Sequence, residues 1–247
     1  MIGILAGSGV QQLNGLRVER EQRLPTPYGD PSGPLLQGVF ADTPVIFVNR
    51  HGPGHMIPPH RINYRANLYA LKHAGASAII AIAAVGGITR AMIPKRLVFP
   101  SQIIDYTYAR AHTFFDGNES AVTHVDFTDP YSESLRRLLI ESARAAAIDA
   151  VSDAVYGATQ GPRLETSAEI DRMERDGCDI VGMTGMPEAA LARELDLPCA
   201  CCAIVANRAA GRARQTITMD TIRQNLEVGM RNVVKLLTIA LPKAGGA

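Results

Sequence analysis

The sequence predicts an α/β fold in which helices cover a largely buried β-sheet, and three observations predict it. Short apolar runs alternate along the chain with longer stretches of helical period. At 247 residues the chain suits one sizeable domain whose core needs no disulfide or metal to stabilise it. No internal repeat, low-complexity tract or composition shift marks a second domain, so the domain is expected to span residues 1–247.

In chain order, MIGILA, PVIFVNR, SAIIAIAAV, LVFPSQIID, AVYGAT, DIVGMT and CACCAIVAN read as strands. Between them INYRANLYALKHAG, SESLRRLLIESARAAA, AEIDRMERDG and PEAALARELD read as helices. A last helix covers about Met219 to Leu241, where Ile222, Leu226, Met230, Val233, Val234 and Leu237 recur at three- and four-residue spacing and form one apolar face. Residues 25–34, 51–60 and about 106–128 read as loops, and the third is long for a connector, which favours a functional role.

Charge and cysteine usage exclude several classes. Lysine plus arginine (25) nearly cancels aspartate plus glutamate (24), so no diffuse basic field is available for nucleic acid or anionic lipid, and the expected ligand is small. Met1 runs into an apolar strand with no basic leader, and no apolar stretch approaches the roughly 20 residues that span a bilayer. The chain therefore reads as cytoplasmic, without membrane or nucleic-acid partners. Cys178 and the cluster Cys199, Cys201 and Cys202 match no common zinc spacing, and their apolar neighbours suggest a buried strand. His51, His55 and His60 lack a carboxylate or cysteine at ligand spacing, so no metal is expected.

Several strand ends carry groups suited to a small ligand. MIGILA ends in Gly7-Ser8-Gly9, where backbone N–H groups and the Ser8 hydroxyl can surround an anion, or simply make a turn. Gln12 stands where a third glycine would complete a dinucleotide-binding GxGxxG pattern, so that reading fits poorly. Arg50 follows four apolar strand residues and must find a partner: phosphate oxygens or a carboxylate at the sheet edge. AAVGGITRAMIP lets a ligand ride close over the backbone, and Thr184 offers its hydroxyl to an anion or only to a helix N-terminus. Asn207 ends the last apolar run, open either to a ligand or to a turn. In TQGPRLETSAE, Thr166 and Glu169 are spaced as a capping box, which leaves Glu165 free of that task.

Gly7-Ser8-Gly9, NRHGPGH followed by NYRAN, AVGGI, GPRLE, GMTGMPE and the terminal AN, in this order, resemble the trimeric purine nucleoside phosphorylase and methylthioadenosine phosphorylase family, from Gly3 to about Leu237. The resemblance implies a mixed, twisted central sheet flanked by helices. It also implies use of inorganic phosphate as co-substrate to split a purine nucleoside into base and sugar 1-phosphate, with no metal or organic cofactor. Carried over residue by residue, it gives Ser8, Arg50, His51 and Thr184 as phosphate contacts, with Ala84 contributing backbone. Met183 lies beneath the ribose, and His124 reaches the neighbouring subunit's sugar pocket, so a homotrimer is implied. The adenine-specific branch carries aspartates at the positions of Asn207 and Ala209 and a serine at that of Glu165. The 6-oxopurine branch carries glutamate and asparagine, as here.

Chemistry agrees with that branch. A hypoxanthine ring presents an N1–H donor for the Glu165 carboxylate and O6 and N7 acceptors for the Asn207 amide. At the sugar end, relatives acting on inosine hold the 5′-hydroxyl with a histidine, where this chain has Met219 and Ile222. Met219 packs well against a thioether, although it could also be core at the helix start. An oxopurine base pocket with an apolar 5′ pocket points to S-methyl-5′-thioinosine as substrate, with inosine or guanosine as the alternative, and methylthioadenosine or a non-catalytic nucleoside-binding role behind them. Two departures stand out: Ala83 replaces a usual hydroxyl or amide, and Pro94-Lys95-Arg96 replaces a Pro-Gly-Asp turn.

Overall fold

The computed structural model describes residues 1–7, 13–117, 121–214 and 216–244. Strand β1 (Ile2–Ala6) is followed by β2 (Arg17–Gln22), β3 (Leu35–Phe40) and β4 (Thr43–Asn49), then by helix α1 (Tyr64–His73). Next come β5 (Ala78–Gly87), β6 (Leu97–Val98), β7 (Gln102–Asp105), α2 (Glu133–Ala145), β8 (Ala150–Val151) and β9 (Val155–Ala158). The chain closes with α3 (Ser167–Arg175), β10 (Ile180–Gly182), α4 (Gly185–Glu194), β11 (Cys199–Arg208) and α5 (Met219–Ala244).

Among the described residues the strands join one 11-stranded mixed sheet in the order β2-β3-β4-β1-β5-β10-β9-β7, with β11, β6 and β8 branching from β5. The central strands are apolar throughout because both their faces are covered. Alternate residues divide between two cores. Ile2, Ile4, Ile80, Ile82, Cys202 and Ile204 pack with Leu139 of α2 and Val233 and Leu237 of α5. Leu5, Val48, Ile79, Ala81 and Cys199 pack with Leu68 and Leu71 of α1 and Leu191 of α4. All four cysteines are free and buried, and three of them sit in β11.

The departures from the sequence reading have local causes. β2 was not expected because RVEREQ has no apolar face; it is an exposed edge strand. β3 contains Gly38, where a Cβ would meet the Arg17 carbonyl oxygen beside a register shift between Val18 and Arg20. The strand expected over LVFPSQIID is two: β6 pairs with β11 and β8, β7 pairs with β9, and Pro100 lies between them. β8 is too short for any periodicity to show. α4 turns regularly only from Pro187, as expected, because Met186 ahead of it is extended (φ −114°, ψ 138°), and α5 runs three residues past Leu241.

The sheet changes direction along one edge of β5. β1 runs parallel to β5 up to Leu5 opposite Ala81, whereas β10 runs antiparallel from Ile180 opposite Gly87 to Val181 opposite Gly86. β11 occupies the other edge along nearly its whole length. The carboxyl ends of β1 and β10 therefore point toward one another, and the β5 edge between Ile82 and Val85 has no strand partner there. Ligands in α/β sheets collect where strand direction switches.

Candidate active site

Arg50 fills that break. Its side chain follows β4, is 1% exposed, and donates from Nη1 to the Ile82 carbonyl (2.6 Å) and from Nη2 to the Leu5 carbonyl (3.2 Å). Glu188 of α4, 3% exposed, accepts from Nε (2.6 Å) and Nη2 (2.9 Å) in a bidentate pair. Burial alone would push the guanidinium pKa down, and the Glu188 charge and hydrogen bonds reverse this and raise it. Both partners foreseen for Arg50 thus meet one fact: the carboxylate is present, and one Nη1 N–H remains uncommitted. That nitrogen faces Gly7, where a Cβ would stand 3.0 Å from it and from His51 Nε2. Glycine keeps this approach open. The expectation for Ser8 lies outside the described residues.

His51 is 4% exposed, and its Nδ1 lies 2.8 Å from the Ile57 carbonyl. A carbonyl only accepts, so Nδ1 carries the proton and Nε2 presents a lone pair. Burial, followed by the charges of Arg50 and His55, lowers the His51 pKa to about 4. The ring is neutral near pH 7. Thr184 stands at the N-terminus of α4 but makes no side-chain cap, so its hydroxyl, 7% exposed, is not spent on the helix.

These groups share a cavity of about 550 Å³, a size suited to a small organic ligand. Ala84, Met183, Glu165, Asn207, Ala209, Met219 and Ile222 line the same cavity, so residues from β5, β10, β11, α5 and the 159–165 loop converge. His124 is exposed and outside its lining. Ala83 faces a separate small cavity with Tyr131, Thr184 and Glu188, one residue away from the site. The Pro94-Lys95-Arg96 turn still clamps β11, because Lys95 N donates to Val205 O at 2.7 Å and Val205 N to Arg96 O at 3.0 Å.

Glu165 is held by a residue the sequence reading did not single out. Thr159 Oγ1 donates to Glu165 Oε1 at 2.7 Å, leaving the other carboxylate oxygen for a ligand. The capping box forms as its spacing predicts: Glu169 N donates to Thr166 Oγ1 and Thr166 N to Glu169 Oε2. Gly161 has φ 60°, and a Cβ there would lie 2.4 Å from Met183 Sδ, so glycine lets the base loop lie on the methionine.

Asn207 follows a β-bulge: Val205 faces Val85 and Asn207 faces Gly86, leaving Ala206 extra. Bulges re-aim the side chains that follow them. Asn225 of α5, 8% exposed, fixes this one by donating to the Ala206 carbonyl at 2.7 Å. Asn207 Nδ2 donates to the Arg208 carbonyl at 2.8 Å, which leaves a second N–H and Oδ1 for the cavity. Ile217, Met219, Ile222 and Met56 add apolar surface to the same lining, and Met219 and Met56 are 67% and 80% exposed.

Glu188, Thr159, Asn225 and Ile217 are contributions the sequence reading did not assign. Only Glu188 left a signal, in the demand of a buried arginine for a partner. Among the described residues no group of three His, Cys, Asp or Glu side chains is placed to hold a metal ion, and no helix is long and apolar enough to cross a membrane.

The profile of the phosphorylase superfamily matches residues 1–242. A protein of Pseudomonas syringae pv. tomato named probable S-methyl-5′-thioinosine phosphorylase is 54% identical over 239 residues, covering 96% of this chain and 97% of its own. A 6-oxopurine nucleoside phosphorylase of Pyrococcus furiosus is 44% identical over 246 residues, covering 98% and 92%. Among solved structures, methylthioadenosine phosphorylase of Schistosoma mansoni in complex with adenine superimposes with a TM-score of 0.96 at 30% identity, covering 100% of this chain and 92% of that one.

Proposed function

This chain belongs to the phosphorylase superfamily, and from that premise we propose that it cleaves S-methyl-5′-thioinosine with inorganic phosphate to hypoxanthine and 5-methylthioribose 1-phosphate. The observation that carries this reading is the mixed lining of a single cavity, which Glu165 and Asn207 share with Ile217, Met219 and Ile222.

A phosphate oxygen attacks C1′ as the bond from C1′ to N9 breaks, through a ribosyl cation-like transition state. The free Glu165 oxygen accepts the N1–H of the departing hypoxanthine, and the Asn207 N–H meets O6 or N7 as electron density grows there. Hydrogen phosphate gives up its P–O–H proton and hypoxanthine gains one, so the sugar 1-phosphate leaves as a dianion and the proton count closes. Neutral His51 suits this reactant, because its Nε2 lone pair can accept that P–O–H. Arg50 Nη1, the Thr184 hydroxyl, the Ala84 backbone and Ser8 complete the anion's contacts. Positioning and electrostatics supply the rate, with no covalent intermediate and no cofactor.

Adenine fits this pocket poorly, since its bare N1 lone pair would meet the Glu165 carboxylate. Ile217, Met219 and Ile222, which line the cavity, suit a methylthio group. The name of the 54% identical relative supports the methylthioinosine reading, and that of the 44% identical relative supports inosine or guanosine as the second reading. A homotrimer in which His124 approaches a neighbouring subunit's sugar pocket, acting in the cytoplasm, belongs to the same proposal. Phosphorolysis rates on methylthioinosine, inosine and methylthioadenosine, measured side by side, test it. The expected order is as written, and a preference for the adenine nucleoside would sink the base assignment.

A further inference from the structure

Arg110 is a buried cation with no carboxylate among its partners. It comes from the 106–128 connector, is 7% exposed, and forms no ion pair among the described residues. Its guanidinium lies 5.3 Å over the Tyr64 ring. Every N–H instead goes to a neutral acceptor. Nη2 donates to the carbonyls of Thr159 (3.1 Å) and Gln160 (2.8 Å), and Nε to Gln160 Oε1 (3.1 Å). Nη1 donates to the carbonyls of Met183 (2.8 Å) and Met186 (2.6 Å) and to the Tyr64 hydroxyl (3.1 Å). Tyr64 in turn donates to the Pro59 carbonyl at 2.8 Å.

These acceptors belong to three different parts of the site. Thr159 and Gln160 begin the loop that carries Glu165, and Met183 and Met186 flank Thr184. Pro59 opens a short 3-10 turn that follows the segment carrying His51 and Ile57. A protein that needed only to satisfy a few carbonyls could use water or backbone; a planar fork of five donors fixes their distances and angles to one another. Arg110 itself does not line the cavity.

We infer that Arg110 is a positioning residue: it sets the base-recognition loop against the ribose and phosphate segments, so that Glu165, Met183 and Thr184 are held in one geometry. The inference rests on the proposed phosphorolysis and adds to it the element that registers its two halves. Misplacement by about 1 Å at a reacting centre costs about 100-fold in rate, which sets the expected effect.

The test compares the wild-type chain with R110A and R110K in steady-state phosphorolysis of methylthioinosine, with and without added guanidinium chloride, alongside their melting temperatures. For R110A, kcat/KM is expected to fall about 100-fold, with KM raised for both nucleoside and phosphate and with guanidinium restoring part of the loss. R110K keeps the charge, but its compact ammonium cannot span three segments, so it falls between the two. A merely structural arginine would lower the melting temperature and leave the constants of the folded protein unchanged and insensitive to guanidinium. If R110A does not fold, R110K and Y64F carry the comparison, and R110K with wild-type constants overturns the inference. An active wild type whose R110A stays within about threefold of it, against the 100-fold expected, overturns the inference alone. A wild type that releases no base overturns the functional reading and this inference with it.

Discussion

The buried polar groups of the cavity and its exposed methionines are built in opposite ways. Arg50, His51 and Thr184 are 1%, 4% and 7% exposed and come from a strand end and the start of α4. The Arg50 donors and the His51 lone pair are oriented by Glu188, Ile57 and the broken β5 edge. Met56 and Met219 are 80% and 67% exposed and come from the 51–60 loop and the first residue of α5. Charge is expensive to desolvate and needs a fixed answering set, whereas a methylthio group needs only adaptable apolar surface, which methionine provides. In the proposed reaction the rigid groups hold phosphate, the reactant common to all phosphorolysis, and the methionines face the part of the substrate that distinguishes one nucleoside from another.

The comparison breaks most visibly at Glu188. Removing one partner of a buried ion pair costs about 3–5 kcal/mol, so Glu188→Ala is expected to lose that much stability in urea unfolding and to raise the phosphate KM. A loss below about 1 kcal/mol, the scale of an exposed pair, would show that Arg50 does not depend on its carboxylate. In the base-recognition loop, Glu165→Gln replaces an acceptor with an amide and is expected to lower kcat/KM for methylthioinosine by about 100-fold. Unchanged activity there would mean that recognition of N1–H lies elsewhere.

His51 sharpens the contrast through pH. Its folded pKa, about 4, lies below the ordinary value of 6.5, so the unfolded chain binds the proton more readily. Stability from this group is full above about pH 6.5 and declines as pH falls toward 4, by roughly 3 kcal/mol in total. His51→Phe should flatten that part of the urea-midpoint profile, and an unchanged acid slope would count against a buried neutral imidazole. The smallest effect belongs to the adaptable methionines. Met219→His offers a 5′-hydroxyl a partner and is expected to move the inosine to methylthioinosine ratio of kcat/KM by about tenfold toward inosine. Stability should change little at so exposed a position, and an unmoved ratio would remove Met219 from the specificity determinants.

Legibility in the sequence divided along physical lines. The buried strands and amphipathic helices were readable because a chain covered on both sheet faces must show continuous apolar runs, and helices must show a three-to-four period. The edge strand RVEREQ and the two-residue β8 carry no such pattern, because nothing covers the one and the other is too short to have a period. Thr166 and Glu169 were legible as a cap because the interaction is local. Glu188, Thr159 and Asn225 were not, since their partners Arg50, Glu165 and Ala206 are defined by packing rather than by spacing, even where, as with Thr159, the two are near in sequence.

By itself the sequence determined the α/β class, the order of its motifs and the chemical inventory of the site: an arginine and a histidine after one strand, a glutamate after a Gly-Pro turn, an asparagine ending another. These follow from local pattern and residue chemistry, which a chain carries wherever it goes. Only the tertiary structure decided which groups stay available. It committed four of the five Arg50 N–H groups to Glu188, Leu5 and Ile82, fixed the His51 tautomer on Ile57 and placed a bulge before Asn207. The reason is that hydrogen-bond valence is shared among groups that meet only in the folded chain, so what a residue can offer a ligand is what its neighbours leave over.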